Sequence, residues 1–370
     1  MTLSLHSVTR QVGDEIHIDN VSLTLNRGTL NVLLGPTLSG KTSLMRLMAG
    51  LDEPTRGQIL VDGKDVTGVA VGKRNVAMVY QQFINYPTLS VYENIASPLR
   101  VSGVDRSEID RRVQEAAQLL RLTSMLDRTP LQLSGGQQQR TAIARALVKR
   151  ADLVLMDEPL ANLDYKLREE LREELPRIFS SSGAIFVYAT TEPSEALLLG
   201  GNTATLWQGR VTQFGPTPFV YRQPKDLITG QVFSDPPLNL LTGRKNGNDF
   251  SLADGTRLPL YDDLADLGDG PITLAFRAHH LSLKSSDLPS LTLHVDVGGC
   301  EISGSESFIH VTLGSTKFVL LEQGVHRIDE GAKLAVHIAN DHLYAFDLAG
   351  HLLRAPSKTL AEQAVKGVAS

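Results

Sequence analysis

The segment Gly35-Pro36-Thr37-Leu38-Ser39-Gly40-Lys41-Thr42 restricts the fold of this 370-residue chain more than any other feature. It follows the apolar run Leu30–Leu34, which suits a buried strand. The residues from Lys41 to Ala49 have a helical pattern, and Gly50 is placed to end that helix. A GxxxxGKT segment between a strand and a helix is typical of a phosphate-binding loop. We therefore predict that this phosphate loop, residues 35–42, binds the phosphates of a nucleotide.

Each position of the phosphate loop has an expected role. The two glycines let backbone N–H groups turn towards phosphate oxygens, Lys41 neutralises the outer phosphates, and the Thr42 hydroxyl takes a Mg²⁺ position. Leu38 is bulkier than the small residue that is common at its place. The predicted nucleotide ligands are Gly35, Pro36, Thr37, Leu38, Ser39, Gly40, Lys41, Thr42 and Ser43.

Two acidic residues follow a second apolar run, Leu153 to Met156. If this run is a parallel strand, Asp157 lies at the edge of the sheet beside the phosphate loop, where it can hold Mg²⁺ through water. Glu158, one residue further on, can accept a proton from the water that attacks the terminal phosphate, or orient that water. A solvated acidic turn is the alternative. Gln81 suits a role in sensing Mg²⁺ and the attacking water, although an ordinary surface amide would look the same.

A second glycine-rich segment, Ser134-Gly135-Gly136-Gln137, precedes a helix that runs through Arg140 to Val148. The free N–H groups and the positive end of that helix could bind a phosphate. This signature segment, residues 134–137, has no lysine of its own, so it reads as half of a site that another subunit completes. An isolated serine N-cap would be the simpler interpretation.

The order of the patterns predicts the fold class. Short apolar runs alternate with helical stretches up to residue 235, which predicts an α/β doubly wound sheet. Residues 84–151 form a predicted helical subdomain, with Ser107 and Asp110 as an approximate capping box. Strict alternation then appears, for example at Leu291, Leu293 and Val295, and predicts a small β-barrel. We expect domains at 1–235 and 236–355, followed by a polar tail at 356–370.

Composition excludes several functions. Lys and Arg number 36 against 41 Asp and Glu, a formal charge of −5, so the chain has no basic field for nucleic acid. Cys300 is the single cysteine, so no internal disulfide can form, and a reduced cytosolic setting is expected. No apolar run is long enough to span a bilayer.

Taken together, GPTLSGKT, Gln81, LSGGQ, LVLMDEP and the segment Ala161-Asn162-Leu163-Asp164 resemble the ATP-binding subunits of ABC transporters over residues 1–235. The resemblance implies a P-loop NTPase core with a RecA-like sheet, and ATP and Mg²⁺ as ligands. It also implies that two ATPase subunits sandwich two nucleotides, each between one phosphate loop and the other chain's signature segment. Asp164 would touch the opposing subunit.

The segment Phe276-Arg277-Ala278-His279-His280-Leu281 and the β-rich region around it resemble the OB-like regulatory domain of carbohydrate and polyol importer ATPases. The stretch from Tyr80 to Asn94 looks closest to importers of glycerol or glycerol phosphate. This resemblance implies a peripheral protein on the cytoplasmic face of the inner membrane. Its partners would be two permease subunits, whose coupling helices contact Gln81 and the helical subdomain, and indirectly a solute-binding protein.

The chain departs from the family pattern at two places. Thr191 stands where the family carries a histidine that contacts the terminal phosphate, and Val12 stands where an aromatic residue stacks on adenine. Both changes fall in the site built on this chain's own phosphate loop. We therefore hypothesise that the chain pairs with a different ATPase subunit and that its own site hydrolyses ATP slowly. A homodimer and a regulatory subunit with little hydrolysis are the alternatives.

Overall fold

The computed structural model describes residues 1–356 except Phe83, Asn162, Ser286 and Asp287. The predicted polar tail therefore lies outside the described residues, apart from Pro356, as does Asn162 of the segment 161–164. Backbone contacts divide the chain into two compact units, one ending at Pro218 and one beginning at Phe219.

The first unit contains two sheets. Its strands are β1 (Thr2–Val12), β2 (Glu15–Asn26), β3 (Leu30–Leu34), β4 (Arg56–Val61), β5 (Lys64–Asp65), β6 (Val76–Val79), β7 (Leu153–Asp157), β8 (Ile185–Thr190), β9 (Asn202–Trp207) and β10 (Arg210–Pro216). Its helices are α1 (Lys41–Ala49), α2 (Val91–Val101), α3 (Arg106–Leu119), α4 (Gly135–Val148), α5 (Tyr165–Ser182) and α6 (Pro193–Leu199), and α7 (Thr217–Arg222) follows β10.

The central sheet places β3 in its middle. Within the described residues the strand order is β10-β9-β3-β8-β7-β6, and a separate antiparallel sheet has the order β2-β1-β4-β5. β3 runs parallel to both β8 and β9, with Leu33 opposite Ala189 and Ala204. Every residue of β3, β7 and β8 is buried, because both faces of a parallel sheet are covered by other elements. The predicted doubly wound α/β core is confirmed.

Helix α1 begins and ends where the glycines predict. Gly40 precedes it with a φ of 104°, and Gly50 ends it with a φ of 75°, both in the left-handed region that glycine adopts without strain. Leu44, Leu47 and neighbouring side chains of α1 are buried in the core that β1, β2 and the central sheet share. The end of β3 and the start of α1 are thus fixed by packing, which positions the phosphate loop between them.

The segment 84–151 contains helices α2, α3 and α4. The expectation for α3 was wrong in one detail, because its N-cap is Asp105 rather than Ser107. The Asp105 carboxylate accepts the N–H of Ser107 at 3.0 Å, and the helix begins at Arg106. The capping-box pattern placed the N-cap two residues too late, because aspartate is also a strong N-cap residue.

The second unit is an antiparallel β structure. Its strands are β11 (Asn239–Asn246), β12 (Asp249–Ser251), β13 (Arg257–Pro259), β14 (Gly270–Phe276), β15 (Leu281–Ser282), β16 (Ser290–Ile302), β17 (Glu306–Leu313), β18 (Thr316–Gln323), β19 (Lys333–Ala339), β20 (Tyr344–Phe346) and β21 (Leu352–Arg354), with short helices α8 (Leu227–Val232) and α9 (Asp262–Ala265). The described strands form sheets of order β13-β12-β11-β14-β20-β21 and β15-β19-β16-β17-β18. Side chains from both sheets fill one apolar core, and the predicted barrel-like domain is confirmed.

Arg277 contacts the segment that follows the division between the units. Its buried guanidinium donates to the carbonyls of Phe233 and Tyr221, at 2.7 and 2.9 Å, and lies 3.7 Å from the centre of the Tyr221 ring. These contacts tie residues 219–235 to the β-rich unit, whereas the sequence placed the boundary after residue 235. Among the described residues, no helix is both long and apolar enough to cross a membrane.

Candidate nucleotide-binding site

The phosphate loop is folded so tightly that two of its positions accept only glycine. A Cβ atom on Gly35 would lie 2.5 Å from the Leu206 carbonyl oxygen, and one on Gly40 would lie 2.9 Å from the carbonyl oxygen of His17. Leu38 adopts a φ of 67°, which is strained for a residue with a Cβ, and its side chain is 95% exposed. The backbone N–H groups of the loop are therefore held in the turned arrangement that phosphate binding needs.

The ammonium group of Lys41 lies inside the loop. It donates to the carbonyls of Gly35 and Pro36 at 2.8 and 3.0 Å, and the side chain is only 5% exposed. Burial lowers the pKa of Lys41, while the carboxylates of Glu158 and Asp157 oppose that shift. A buried cation beside a glycine-rich loop is well placed to neutralise an incoming phosphate.

Thr42 and Asp157 meet at the carboxyl end of the central sheet. The Thr42 hydroxyl donates to Oδ2 of Asp157 at 2.7 Å, so the structure brings together two of the residues that the sequence predicts around Mg²⁺. Burial raises the pKa of Asp157, and the Thr42 hydrogen bond and Lys41 partly offset this. A hydroxyl and a carboxylate side by side are hard oxygen donors, which fit Mg²⁺ better than softer metals.

Gln81 is paired with Glu158. Its amide nitrogen donates to Oε2 of Glu158 at 2.9 Å, and the other carboxylate oxygen lies 3.9 Å from Nζ of Lys41. Glu158 has a φ of 45°, and its N–H donates to the carbonyl of Ala189 at 3.0 Å. Burial raises the pKa of Glu158, Lys41 opposes the shift, and Asp157 adds to it. A carboxylate with a raised pKa is better suited to accept a proton from water near neutral pH.

These groups line one cavity of about 710 Å³. Thr191 lines this cavity together with the phosphate loop, Gln81 and Glu158. Sequence reasoning missed five of its lining residues, which come from β2 and from the turn between β9 and β10. The described lining residues are Glu15, Ile16, His17, Thr37, Leu38, Gly40, Lys41, Thr42, Ser43, Gln81, Glu158, Thr191, Gln208 and Gly209.

A buried ion network supports the backbone around Thr191. The Glu195 carboxylate, 4% exposed, accepts hydrogen bonds from Thr190, Tyr188 and Arg172 at 2.6, 3.1 and 2.9 Å. The hydroxyl of Thr190 also accepts the N–H of Glu192 at 3.0 Å. The turn that carries Thr191 is therefore held from both sides, and no sequence pattern had marked Glu195.

The signature segment lies outside the described lining of this cavity. Ser134 and Gln137 form a reciprocal capping box, in which the N–H of Ser134 donates to the Gln137 side chain at 2.9 Å. This cap leaves the N–H groups of Gly135 and Gly136 at the first turn of α4 for another acceptor. Asp164 is exposed just before α5, and its carbonyl accepts the N–H of Arg168 at 3.0 Å.

The geometry agrees with comparisons to known proteins. The model of the ABC transporter family matches residues 18–161. The sn-glycerol-3-phosphate import ATP-binding protein UgpC of Paraburkholderia xenovorans is 35% identical over 353 residues, covering 93% of this chain and 97% of that protein. The xylose/arabinose import ATP-binding protein XacK of Haloferax volcanii is 34% identical, covering 93% of both chains.

Two further proteins are similar over part of the chain. The spermidine/putrescine import ATP-binding protein PotA of Pseudomonas aeruginosa is 43% identical over 276 residues, covering 75% of this chain and 74% of that protein. The dimeric ATP-binding cassette MJ0796, solved with ADP and Pi, superposes with a TM-score of 0.53 at 29% identity, covering 58% of this chain and 98% of that one. The chain belongs to the family of ABC transporter ATP-binding subunits, and it is an ATPase whose hydrolysis is coupled to transport.

Proposed function

We propose that this chain powers the import of a small polar solute, such as a sugar, a polyol, glycerol or glycerol phosphate, from the cytoplasmic face of the inner membrane. The observation that carries the proposal is the length of the match to UgpC and XacK, which extends beyond the ATPase unit through the β-rich unit. PotA, whose name gives polyamines as its cargo, is more similar in identity but covers a smaller share of the chain.

Each group of residues in the cavity has a separate role in ATP hydrolysis. The phosphate loop and Lys41 bind the triphosphate of ATP, and Thr42 and Asp157 hold Mg²⁺, which supplies positive charge to the phosphate oxygens when bound. Glu158 accepts the proton of the attacking water, and Gln81 orients the Glu158 carboxylate through their 2.9 Å hydrogen bond. Thr191 can donate a hydrogen bond to the terminal phosphate but, unlike histidine, brings no positive charge.

The signature segment serves a second nucleotide. Its two free N–H groups lie at a capped helix start, and that arrangement suits a terminal phosphate held by another chain. Asp164 contacts the opposing subunit in this arrangement. Two ATPase subunits closing on two nucleotides would then move the permeases between inward-facing and outward-facing states.

A groove in the first unit fits the permease partners. It has a volume of about 700 Å³ and is lined by apolar side chains of α2 and α4 and by four cations, Lys73, Arg74, Arg145 and Lys149. Val101 is 90% exposed there, and the Arg145 guanidinium lies 5.2 Å from the centre of the Tyr86 ring. None of the described lining residues is acidic. A short permease helix with apolar and acidic side chains would match this surface in shape and charge.

We propose further that the second ATPase subunit is a different chain. In this proposal Thr191 weakens the site on this chain's own phosphate loop, whereas the signature segment keeps all four of its residues at a capped helix start. The partner's site would then carry most of the turnover. A solute-binding protein on the far side of the membrane completes the system.

The proposal is tested by recovering the complex from the native host. Two differently tagged copies of this chain are expressed together, and membranes are solubilised with Mg²⁺ and a non-hydrolysable ATP analogue, which prevents turnover at both nucleotide sites. We expect purification through one tag to recover two permeases and a different ATPase chain. The copy of this chain that carries the other tag should not be recovered. Recovery of the second tag would establish a homodimer, and recovery of no permease would reject the proposed partnership with two permeases.

A further inference from the structure

Part of the nucleotide cavity has no role in phosphate chemistry. Besides the phosphate loop and the hydrolytic residues, it is lined by Glu15, Ile16 and His17 of β2 and by Gln208 and Gly209. A nucleotide extends well beyond its phosphates, and these residues are the part of the described lining that is left for its base or sugar. The sequence had predicted that the aromatic contact to the base is lost because Val12 occupies its place.

A register shift between β1 and β2 falls at His17, which is one of the residues that line the cavity. Arg10 pairs with Ile18 and Gln11 pairs with Ile16, so His17 is an extra residue on β2. A bulge of this kind changes the direction of the side chain it carries and is common beside active sites. Val12, on β1, is 48% exposed and is not among the described residues that line the cavity.

The backbone of His17 lies directly against the phosphate loop. Its carbonyl oxygen would be 2.9 Å from a Cβ on Gly40 and 2.7 Å from one on Gly209. The imidazole side chain is 38% exposed, with Nε2 3.6 Å from Oε2 of Glu15. Among the described lining residues, His17 alone carries an aromatic ring.

We propose that the imidazole of His17 stacks on the purine base of the bound nucleotide and replaces the aromatic contact that Val12 does not make. The inference rests on the proposed function only in requiring that this cavity binds ATP. Ile16 covers the base with apolar surface. The Glu15 carboxylate and the Gln208 amide lie where they can form hydrogen bonds with the polar atoms at the edge of the base. Stacking between a ring and a base tolerates different bases, because every base has a π face.

The test distinguishes binding of the base from binding of the phosphates by comparing two ligands. Binding of ATP and of inorganic tripolyphosphate is measured by displacement of a fluorescent nucleotide from the full-length chain, for the wild type, His17→Ala and His17→Phe. We expect His17→Ala to weaken ATP about tenfold and to leave tripolyphosphate unchanged, and His17→Phe to restore ATP binding. His6→Ala, an exposed histidine on β1, is the matched control and should change neither ligand.

Two results would overturn the inference. Unchanged ATP binding by His17→Ala would show that the ring does not touch the base. Equal weakening of ATP and tripolyphosphate would show that His17 only supports the phosphate loop. A wild-type chain that binds neither ligand would instead refute nucleotide binding itself, so the two failures are distinguishable.

Discussion

The side-chain amide of Gln139 donates a hydrogen bond to the carbonyl of Pro159 at 2.6 Å, and Gln139 is only 1% exposed. Gln139 belongs to α4, the helix that begins at the signature segment, while Pro159 follows Glu158. One buried bond therefore connects α4 with the turn that follows Glu158. If two subunits close on nucleotide as proposed, a shift of α4 would be transmitted through this bond to the loop that carries Glu158.

Replacing Gln139 by leucine should destabilise the first unit. The variant leaves the Pro159 carbonyl buried without its donor, which costs about 1–3 kcal/mol. The free energy of unfolding is measured by urea titration of the full chain. Gln118→Leu, on the exposed side of α3, is the control and should change stability by less than about 0.5 kcal/mol. Equal changes in the free energy of unfolding for the two substitutions would show that the Gln139 hydrogen bond does not stabilise the first unit.

Replacing Asp157 by asparagine should stabilise the chain without nucleotide, although it removes a predicted Mg²⁺ ligand. Burial raises the pKa of Asp157 above its ordinary 3.8, so the ionised carboxylate destabilises the folded state at neutral pH. This penalty is complete above the raised pKa, declines as the pH falls through it, and is absent below 3.8. The melting temperatures of both proteins are compared from neutral to acidic pH.

The control for this pH dependence is Asp254→Asn. Backbone and side-chain hydrogen bonds from Thr256 lower the pKa of the exposed Asp254 carboxyl. Its substitution should therefore reduce stability slightly above pH 3.8, the opposite sign to Asp157→Asn. If Asp157→Asn also lowers the melting temperature at neutral pH, the Thr42 hydrogen bond outweighs the cost of burial.

The parts of the site that are local in sequence could be predicted. The strand Leu30–Leu34, the helix Lys41–Ala49 and the end at Gly50 follow from apolar runs and from glycine's tolerance of positive φ. The pairing of Gln81 with Glu158 could not be predicted, because 77 residues separate them and only the sheet order brings β6 and β7 together.

The sequence also gave no sign of the contacts that depend on register or on burial. His17, which lines the cavity, lies at a one-residue bulge that no residue pattern in β1 or β2 indicates. The hydrogen bonds of Arg277 to the carbonyls of Tyr221 and Phe233, which lie in the second unit, likewise have no sequence signal. The change from helical to alternating patterns placed the boundary after residue 235, whereas backbone contacts place it after Pro218.

The strain at Leu38 can be measured by comparing two variants. Leu38→Gly and Leu38→Ala remove the same exposed side chain, but only glycine removes the Cβ that disfavours a φ of 67°. We expect the glycine variant to be more stable by roughly 0.5–1 kcal/mol in urea unfolding. At Leu131, which is 86% exposed and lacks a positive φ, the order of the same two variants should reverse. The same order at both positions would contradict strain at Leu38.

Arg277→Lys should weaken the second unit strongly. Lysine cannot reproduce the bonds of the guanidinium to Phe233 and Tyr221 or its stacking on the Tyr221 ring. Because Arg277 is only 3% exposed, the lost contacts leave buried groups unpaired, and we expect a loss of about 2–5 kcal/mol. Protection of the β11 and β14 amides from hydrogen exchange measures this loss. Arg257→Lys, exposed on β13, is the control, and similar protection in both variants would contradict the role of Arg277.

Thr191→His should raise the ATPase rate of this chain if its own site is weakened. The turn that carries Thr191 is held by the Glu195 network, so a histidine there would face the same cavity as Glu158 without rearranging the backbone. We expect steady-state phosphate release to increase by roughly tenfold to a hundredfold. Ser194→His, exposed on α6, should have no effect, and Glu158→Gln should remove the gain. Rapid turnover by the wild type that Thr191→His leaves unchanged would contradict the weakened site, because threonine would then be sufficient at the terminal phosphate.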